Sequence, residues 1–337
     1  MKIVLFRVDA NKRLGTGHLS RCLTLAIVLR TFNVKSYFLI KKDNDAIEFI
    51  RNSRFELFTL PNNRSEKNEL TELVKLHNYI KYKCLIMDSM RERNRKFFTA
   101  INKLCKTVVI DSEAHKSNLN ADLIIWPDIK EFYPKETMTN TPNRLLVGTR
   151  YMPLRNIPKG NIRKIPNSIL VSMGGTDKRQ LSEKIVMSFL KSKRKFKMKI
   201  IIGKYFKDSK RIYDKIKNDP RFTVMSNVES LIPLMQECEI GIFTYGITTY
   251  ESLMVGLPSL IISHSKSNHI AAQKLSRYEC IHYLGYYKSI NFQKIPNSVF
   301  EIISNSVKYK NFAKKGRSLV DGRGSERLAK EITRLLN

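Results

Sequence analysis

Residues 2–30 read KIVLFRVDANKRLGTGHLSRCLTLAIVLR, and the order of residue types in this stretch decides the fold. KIVLFRV (2–8) is an apolar run rich in β-branched residues, the pattern of a buried strand. DANKRLGTG (9–17) supplies turn chemistry. HLSRCLTLAIVLR (18–30) then sets Leu19, Leu23, Leu25, Ala26 and Leu29 along one helical face. KSYFLIK (35–41) is a second strand. Strand, glycine loop, helix and strand make a βαβ unit, which calls for a parallel sheet covered by helices on both faces.

Working outward, the same grammar repeats. CLIMDS (84–89) and TVVIDS (107–112) are apolar runs that each end in Asp-Ser, and ADLIIWP (121–127) follows. In a parallel sheet, ligands gather at the carboxyl ends of the strands. Asp88 and Asp111 fall at those ends, and helix capping or a loop role is the simpler expectation for both. Residues 150–168, RYMPLRNIPKGNIRKIPNS, hold three prolines and no long apolar run, so they read as a linker. The pattern then restarts with SILVSMGG (168–175), a helix, KMKIIIG (197–203), EIGIFTYG (239–246), a helix beginning in TTYESLMVG (248–256), and PSLIIS (258–263). The expected organisation is an N-terminal Rossmann-like domain over 1–155, a linker over 156–167 and a second Rossmann-like domain over 168–320. A C-terminal helix over 321–337 carries Leu328, Ile332, Leu335 and Leu336 on one side and is expected to pack back on the first domain.

Bulk properties narrow the function. A chain of 337 residues exceeds a typical single core, and 42% hydrophobic residues suffice for two. The formal net charge of +31 admits nucleic acid, an anionic membrane, a phosphorylated small molecule, or simply a lysine-rich solvated surface. Neither an RNA-recognition signature nor a zinc-finger spacing is present, so nucleic acid is not expected. Peripheral contact with an anionic membrane stays open. The five cysteines form no CxxC pair, which argues against a zinc site and a disulfide framework. The opening MKIVLFRVDANKR does not read as a signal peptide, and no run of apolar residues reaches membrane-spanning length. A cytoplasmic enzyme fits these features, with no metal and no cofactor.

Only 14 glycines occur, and they concentrate between strands and helices. Gly15 and Gly17 lie in the first loop, Gly174 and Gly175 (followed by Thr176) in the first loop of the second domain, and Gly246 just before a helix. A residue without Cβ lets backbone N–H groups approach an anion at a helix start. Two such loops from facing domains imply a cleft for a phosphorylated ligand. The dinucleotide fingerprint is broken, because Ser20 stands where its third glycine belongs, and no P-loop motif is present. His18, just inside the first helix, sits where the positive end of the helix dipole favours a neutral ring able to accept a proton. A general base needs that property, although a histidine at a helix start also serves capping or packing. His264 and His269 are five residues apart with no third ligand in view.

FRVDANKRLGTGHLSRCLTLA (6–26) resembles the opening of the PseG/SpsG group, nucleotide-sugar hydrolases of the pseudaminic acid pathway, whose pattern R-x-D then G-x-G-H-x-x-R-C-L-x-L-A is matched by Arg7, Asp9, Gly15, Gly17, His18, Arg21, Cys22, Leu23, Leu25 and Ala26. VGTRYMPLR (147–155), VSMGGTD (171–177), YGITTYESLMVGLPSLII (245–262) and VDGRGSERLA (320–329) are similar to further segments of that group, in the same order. The resemblance implies a GT-B-like α/β fold, two Rossmann-like domains facing across a cleft. It implies an enzyme that removes UDP from a UDP-linked diacetamido-trideoxyhexose by water attack at the anomeric carbon with inversion, without metal. His18 is then the base. Asp9, Gly15, Gly17 and Arg21 line the sugar side. Gly174, Gly175, Thr176, Gly246, Thr248, Tyr250, Glu251 and Asn268 hold substrate in the second domain, Glu251 through the ribose hydroxyls. Packing is the competing role for Tyr245, Thr249 and Tyr250. The chain departs from the group where Asp-His-Tyr is Asp88-Ser89-Met90, Asp-Asp is Asp111-Ser112, and Asn-Gln is Asn268-His269. These departures leave two alternatives open: a UDP-sugar-dependent glycosyltransferase on the same fold, and an inactive sugar-nucleotide-binding subunit.

Overall fold

The computed structural model describes residues 1–11, 14–61, 65–88, 93–111, 120–132, 144–158, 162–206, 209–226 and 228–337. The chain divides into two compact units, Met1–Arg155 with Gly322–Asn337, and Asn156–Asp321.

Unit 1 begins β1 (Lys2–Val8), α1 (Gly17–Arg30), β2 (Val34–Lys41), α2 (Asn44–Asn52), β3 (Glu56–Leu60), α3 (Glu66–Ile80), β4 (Cys84–Asp88) and α4 (Arg95–Ile101). It continues with β5 (Lys106–Ile110), β6 (Leu123–Trp126) and β7 (Arg144–Val147). The seven strands are ordered β3-β2-β1-β4-β5-β6-β7, with every pairing parallel. Both faces are buried, as continuous apolar strands require. Phe6, Phe38, Ile86, Val108 and Ile125 enter one core, whereas Leu5, Leu39, Leu85, Val109 and Ile124 enter the other. The period-2 alternation of the strands does this sorting.

Unit 2 follows with β8 (Ser168–Ser172), α5 (Leu181–Leu190), β9 (Lys197–Ile202), α6 (Ser209–Ile216), β10 (Phe222–Ser226), α7 (Ile232–Glu237), β11 (Ile240–Thr244) and α8 (Ile247–Val255). Then come β12 (Ser259–Ser263), α9 (Lys266–Ser276), β13 (His282–Tyr286), α10 (Ile295–Ser304) and α11 (Ser306–Leu319). Its six parallel strands are ordered β10-β9-β8-β11-β12-β13. Residues 156–167 are fastened to this unit: Lys164 Nζ donates to the Cys238 carbonyl at 2.7 Å and the Ile165 N–H to the Glu237 carbonyl at 2.9 Å.

The last helix, α12 (Gly324–Leu335), belongs to unit 1, where Leu328, Ala329 and Ile332 join the core beside α1. Gly324 permits that seat. A Cβ there would stand 2.0 Å from the Met152 carbonyl oxygen, so only glycine lets the helix start this close to the 152–154 backbone. Ser325 Oγ then donates to the Leu154 carbonyl at 3.2 Å.

In each sheet the strand order reverses at one place, between β1 and β4 in unit 1 and between β8 and β11 in unit 2. Loops leaving the two strands of such a pair part toward opposite faces, and the crevice between them is where open α/β sheets bind ligands.

Candidate functional site

In unit 1, Val8 and Asp88 are register partners at the ends of β1 and β4. The chain leaves β1, turns and enters α1. The turn closes through the Gly15 N–H to the Asn11 carbonyl at 2.8 Å and the Leu14 N–H to Asn11 Oδ1 at 3.0 Å. Gly15 has φ +76°, a left-handed conformation that favours glycine. Gly17 merely opens α1.

His18, Arg21 and Cys22 are spaced i, i+3, i+4, so one face of α1 carries all three. That face meets Asp88. His18 Nδ1 lies 2.6 Å from Asp88 Oδ1. Arg21 forks onto the same carboxylate, Nε to Oδ2 at 2.5 Å and Nη2 to Oδ1 at 2.6 Å. The Cys22 thiol donates to Oδ2 at 3.4 Å. Arg21 Nη2 also lies 3.1 Å from His18 Nδ1. An arginine only donates and a carboxylate only accepts, so Nδ1 cannot satisfy both. The shorter, charge-assisted contact decides, and Nδ1 carries the proton given to Asp88. Nε2 is left with the lone pair. The His18 side chain retains 20% of its exposure while Asp88 retains 1%, so the imidazole alone carries the chemistry of this cluster to solvent.

The electrostatics follow from this packing. Burial alone would raise the Asp88 pKa, but Arg21 and His18 outweigh it and hold the carboxyl well below its usual range. Burial lowers Arg21 and Asp88 more than offsets it, so the guanidinium stays charged. Burial and the Asp88 charge together push the Cys22 thiol far up, so it remains protonated and is no nucleophile.

Two of the expected substrate-binding residues, Asp9 and Arg21, have partners within the protein. Asp9 spends both oxygens on Arg7, at 2.7 and 3.0 Å, and its Oδ1 also accepts the Lys41 N–H at 2.9 Å. Arg7 continues to Glu69 Oε1 at 2.8 Å, and Arg93 Nη2 meets that same oxygen at 2.8 Å. Asp9 is thus a member of a buried ion cluster that braces the end of β1. Arg21 is likewise a support for Asp88. Asp111 is buried immediately after β5. Ser89, Met90 and Ser112 lie outside the described residues.

In unit 2 the two glycine loops meet. Gly174 has φ +81°, and a Cβ on it would lie 3.7 Å from Thr244 Oγ1 at the end of β11. Gly203, after β9, supports the same loop: a Cβ there would be 2.4 Å from the Gly174 carbonyl oxygen. The buried Asp177 carboxylate accepts the Leu181 and Ser182 N–H groups at 2.8 and 2.9 Å and already caps α5. Burial raises the Asp177 pKa despite these bonds.

The second loop is different. Gly246 precedes α8, and its carbonyl accepts the Thr249 N–H at 3.0 Å. The first-turn N–H groups of Ile247 and Thr248 have no acceptor within the helix. Thr248 is half-exposed, and Glu251, three residues on, shares its helix face and is buried. Asn268 Nδ2 donates to the Tyr245 carbonyl at 3.1 Å, which ties α9 to this loop. The Tyr250 hydroxyl lies 2.7 Å from that of Tyr245, and its ring is buried. Among the described residues, no three His, Cys, Asp or Glu side chains gather in a metal-binding arrangement.

The sequence reading missed the partnership of Asp88 with His18. The signal existed, an aspartate closing an apolar strand, but only the adjacency of β4 to β1 turns it into a partner.

No family model matches the chain. It is 26% identical over 277 residues to an uncharacterized protein of Methanocaldococcus jannaschii, covering 78% of this chain and 55% of that protein, so it spans about half the length of that relative. It is 22% identical over 330 residues to the spore coat polysaccharide biosynthesis protein SpsG of Bacillus subtilis, covering 94% and 93%. Among solved structures, MurG of Acinetobacter baumannii superposes with a TM-score of 0.73 at 12% identity, covering 99% of this chain and all of that one. MnaA of Staphylococcus aureus, solved with UDP, gives 0.71 at 11% identity over 100% and 97%. At these identities the structural likeness speaks to architecture: the chain has an α/β, GT-B-like fold of two Rossmann-like units.

Proposed function

We propose that the chain is an enzyme acting on a UDP-linked sugar, and specifically a hydrolase that removes UDP from a diacetamido-trideoxyhexose by water attack at the anomeric carbon with inversion, in pseudaminic-acid-type or other surface-glycan biosynthesis. The observation that carries the reading is the His18–Asp88 pair at 2.6 Å, which leaves Nε2 as the acceptor nitrogen on a partly exposed ring. Nε2 takes a proton from water as oxygen bonds to the anomeric carbon. The carbon–phosphate oxygen bond breaks, and its electron pair leaves on the diphosphate. Asp88 stabilises the imidazolium so formed without itself taking the proton. The nucleotide is assigned to unit 2. Gly246 and Thr248 would meet phosphate at the start of α8, Glu251 the ribose, and the Gly174-Gly175-Thr176 loop and Asn268 the remainder. The reading is supported by the similarity to SpsG, named for polysaccharide biosynthesis, and by a fold shared with a structure solved with UDP.

A glycosyltransferase is the second reading, favoured by the fold shared with the glycosyltransferase SnogD of Streptomyces nogalater. The same base would then deprotonate an acceptor hydroxyl. Phosphorus NMR of UDP release from a panel of UDP-diacetamido-trideoxyhexoses tests both, with wild type, His18→Ala and Asp88→Asn. Release without acceptor by wild type, abolished in His18→Ala and reduced with an altered pH profile in Asp88→Asn, is the expected result. Release only when an acceptor alcohol is added would make the enzyme a transferase. UDP binding with no turnover under either condition would leave the inactive-subunit reading.

A further inference from the structure

The positive charge of the chain is not spread evenly. Residues 178–221 hold sixteen lysines and arginines against four aspartates and glutamates, which places more than a third of the net +31 in one short span. This span folds as α5, β9 and α6 beside the β10 edge of the unit 2 sheet. Two of its loops are fastened together at the amino ends of the strands. The Met198 N–H donates to the Arg221 carbonyl at 2.7 Å. The Arg221 guanidinium donates to the Ser192 and Leu190 carbonyls at 2.7 and 3.4 Å and to Asp219 at 2.6 Å. The turn before β10 is thereby held against the loop that leaves α5.

Arginines and lysines divide the work here. The Arg221 guanidinium covers the Phe196 and Phe222 rings at 4.8 and 5.6 Å, and Arg194 covers Phe300 at 4.9 Å, so both arginines pack the loops in place. Lys191, Lys193, Lys195 and Lys197 are exposed along the same loop and at the start of β9, and none of the four forms an ion pair. Lys210 and Lys217 are equally exposed and unpaired. They stand three residues before and four after Tyr213, on α6 and just beyond it, which sets all three on one helix face. Tyr213 keeps 44% of its exposure. Of the described acids in the span, Glu183 is held by Lys215 at 3.6 Å and Asp219 by Arg221, and Asp214 is the one carboxylate without an ion pair.

We propose that this face of unit 2, the loop between α5 and β9 together with the outer side of α6, docks on an anionic lipid bilayer. Ammonium groups on long stems suit a fluid surface of phosphates, where no fixed geometry has to be matched. An exposed tyrosine among them has the amphipathic ring that settles at headgroup level. Single-stranded RNA would call for several rings free to stack on bases. The phenylalanines of this face are instead buried beneath Arg194 and Arg221. Most of these lysines lie at the amino ends of the strands, opposite the ends from which the Gly174 and Gly246 loops leave, so docking does not cover those loops. The proposal is independent of the UDP reading.

Co-sedimentation of the whole chain with vesicles tests this, at about 0.1 M salt, where charges act over about 10 Å. Binding to vesicles of equal parts phosphatidylglycerol and phosphatidylcholine, and not to phosphatidylcholine alone, is the expected result. The triple variant Lys193→Glu, Lys195→Glu, Lys217→Glu should bind roughly a hundredfold more weakly, at about fivefold for each lysine taken from the surface. Tyr213→Ala should lose several-fold. A control triple variant in unit 1, Lys67→Glu, Lys96→Glu, Lys103→Glu, changes net charge equally at exposed lysines and should bind nearly as wild type does. Circular dichroism checks that each variant is folded, and glutamine versions replace any that is not. Equal losses in the two triple variants would mean that net charge, and not this face, drives binding, and would overturn the proposal. Binding that survives about 1 M salt, where screening shortens to about 3 Å, overturns it as well, and so does wild-type indifference to both vesicles. A protein that ignores vesicles but captures a single-stranded RNA oligomer, and loses it in the first triple variant, would assign the face to nucleic acid instead.

Discussion

His18 of unit 1 and His269 of unit 2 both stand in the first turns of a helix that follows a parallel strand, and both spend Nδ1 on an oxygen. The oxygens differ in kind. His18 rests on a buried carboxylate already forked by Arg21, whereas His269 rests on a neutral chain of hydroxyls ending in a carbonyl. The first device stores charge inside the protein and makes the fold depend on it. The second sets the ring against neutral hydroxyls, with no buried charge at all. The contrast extends to the rest of each unit. Glu69 and Asp88 of unit 1 are buried and Asp9 is largely covered, and burial would raise the pKa values of all three but arginines bring them down. Unit 2 buries Asp177 and Glu251, and Asp177 is raised by burial with only partial compensation from N–H groups.

The largest break in this comparison comes from Asp88. Asp88→Ala leaves the buried Arg21 guanidinium without this carboxylate, which costs about 3–5 kcal/mol. Tyr283→Phe, the equivalent cut in unit 2, removes one neutral hydroxyl and costs about 1 kcal/mol. Urea unfolding of the two variants measures the difference. Equal losses would mean that the arginine–carboxylate pair does no more for the fold than a hydroxyl chain.

Acid sharpens the same contrast. A carboxylate whose pKa is depressed in the fold contributes stability that is complete above its unfolded pKa, about 4, and is lost as pH falls through the folded value. Asp9, Glu69 and Asp88 therefore weaken unit 1 progressively below about pH 4. Asp177 has the opposite sign: ionised, it opposes folding, and that opposition disappears on protonation. Asp219, Glu279 and Glu301 of unit 2 are also depressed, but they pair at the surface, where such pairs contribute little. Unit 1 should unfold at higher pH than unit 2. Trp126, the single tryptophan, is buried in β6 of unit 1 and reports on it alone, while far-ultraviolet circular dichroism reports on both units. Coincident transitions would show that the units do not respond separately.

Much of this was legible in advance, and the exceptions share a cause. Apolar runs separated by helical periodicity identified the parallel α/β units, and glycines between strand and helix marked the loops that carry His18 and Gly246. Those are local signals. Asp88 meets His18 because β4 pairs with β1 across the reversal in strand order, a choice made 70 residues away in sequence. The His269–Tyr283 contact needs α9 to return the chain to β13, and only the fold states it. Asp177 follows a glycine loop yet serves the next helix: it lies four positions before Leu181, and an αL Gln180 bends its carboxylate under the helix end. Asp9 and Tyr250 matched a motif whose members serve the scaffold as well as the ligand.

The glycines give a smaller and more discriminating test. Gly203→Ala places a Cβ 2.4 Å from the Gly174 carbonyl oxygen, so unit 2 must shift backbone against backbone. An overpacking cost of roughly 1–3 kcal/mol follows, with weaker UDP binding because the Gly174 loop moves. Gly15→Ala in unit 1 meets nothing within 4 Å, yet its φ of +76° disfavours any Cβ. Its cost of about 1–2 kcal/mol is conformational. Gly15→Asn, which tolerates left-handed backbone, should recover part of that loss, whereas Gly203→Asn should be worse than Gly203→Ala. Rescue of both positions by asparagine would show that the Gly203 contact is not steric.

The smallest effect is expected at Cys22, and it tests whether the cluster is organised by the carboxylate or by the thiol. The Sγ–Oδ2 contact of 3.4 Å is the weakest of those Asp88 receives. The thiol is protonated and buried, so it supplies a weak donor and a filled volume. Cys22→Ser keeps a donor in place, and the net change in stability should stay within about 1 kcal/mol. Because His18 Nδ1 and both Arg21 nitrogens still have their carboxylate oxygens, the His18 ring should keep the tautomer seen in wild type by 15N correlation. Asp88→Asn should not preserve it, since an amide nitrogen facing Nδ1 donates where the carboxylate accepted. A Cys22→Ser protein that lost the tautomer would move the organising role from β4 to α1 itself, and the contrast between a charged support in unit 1 and a neutral one in unit 2 would fall with it.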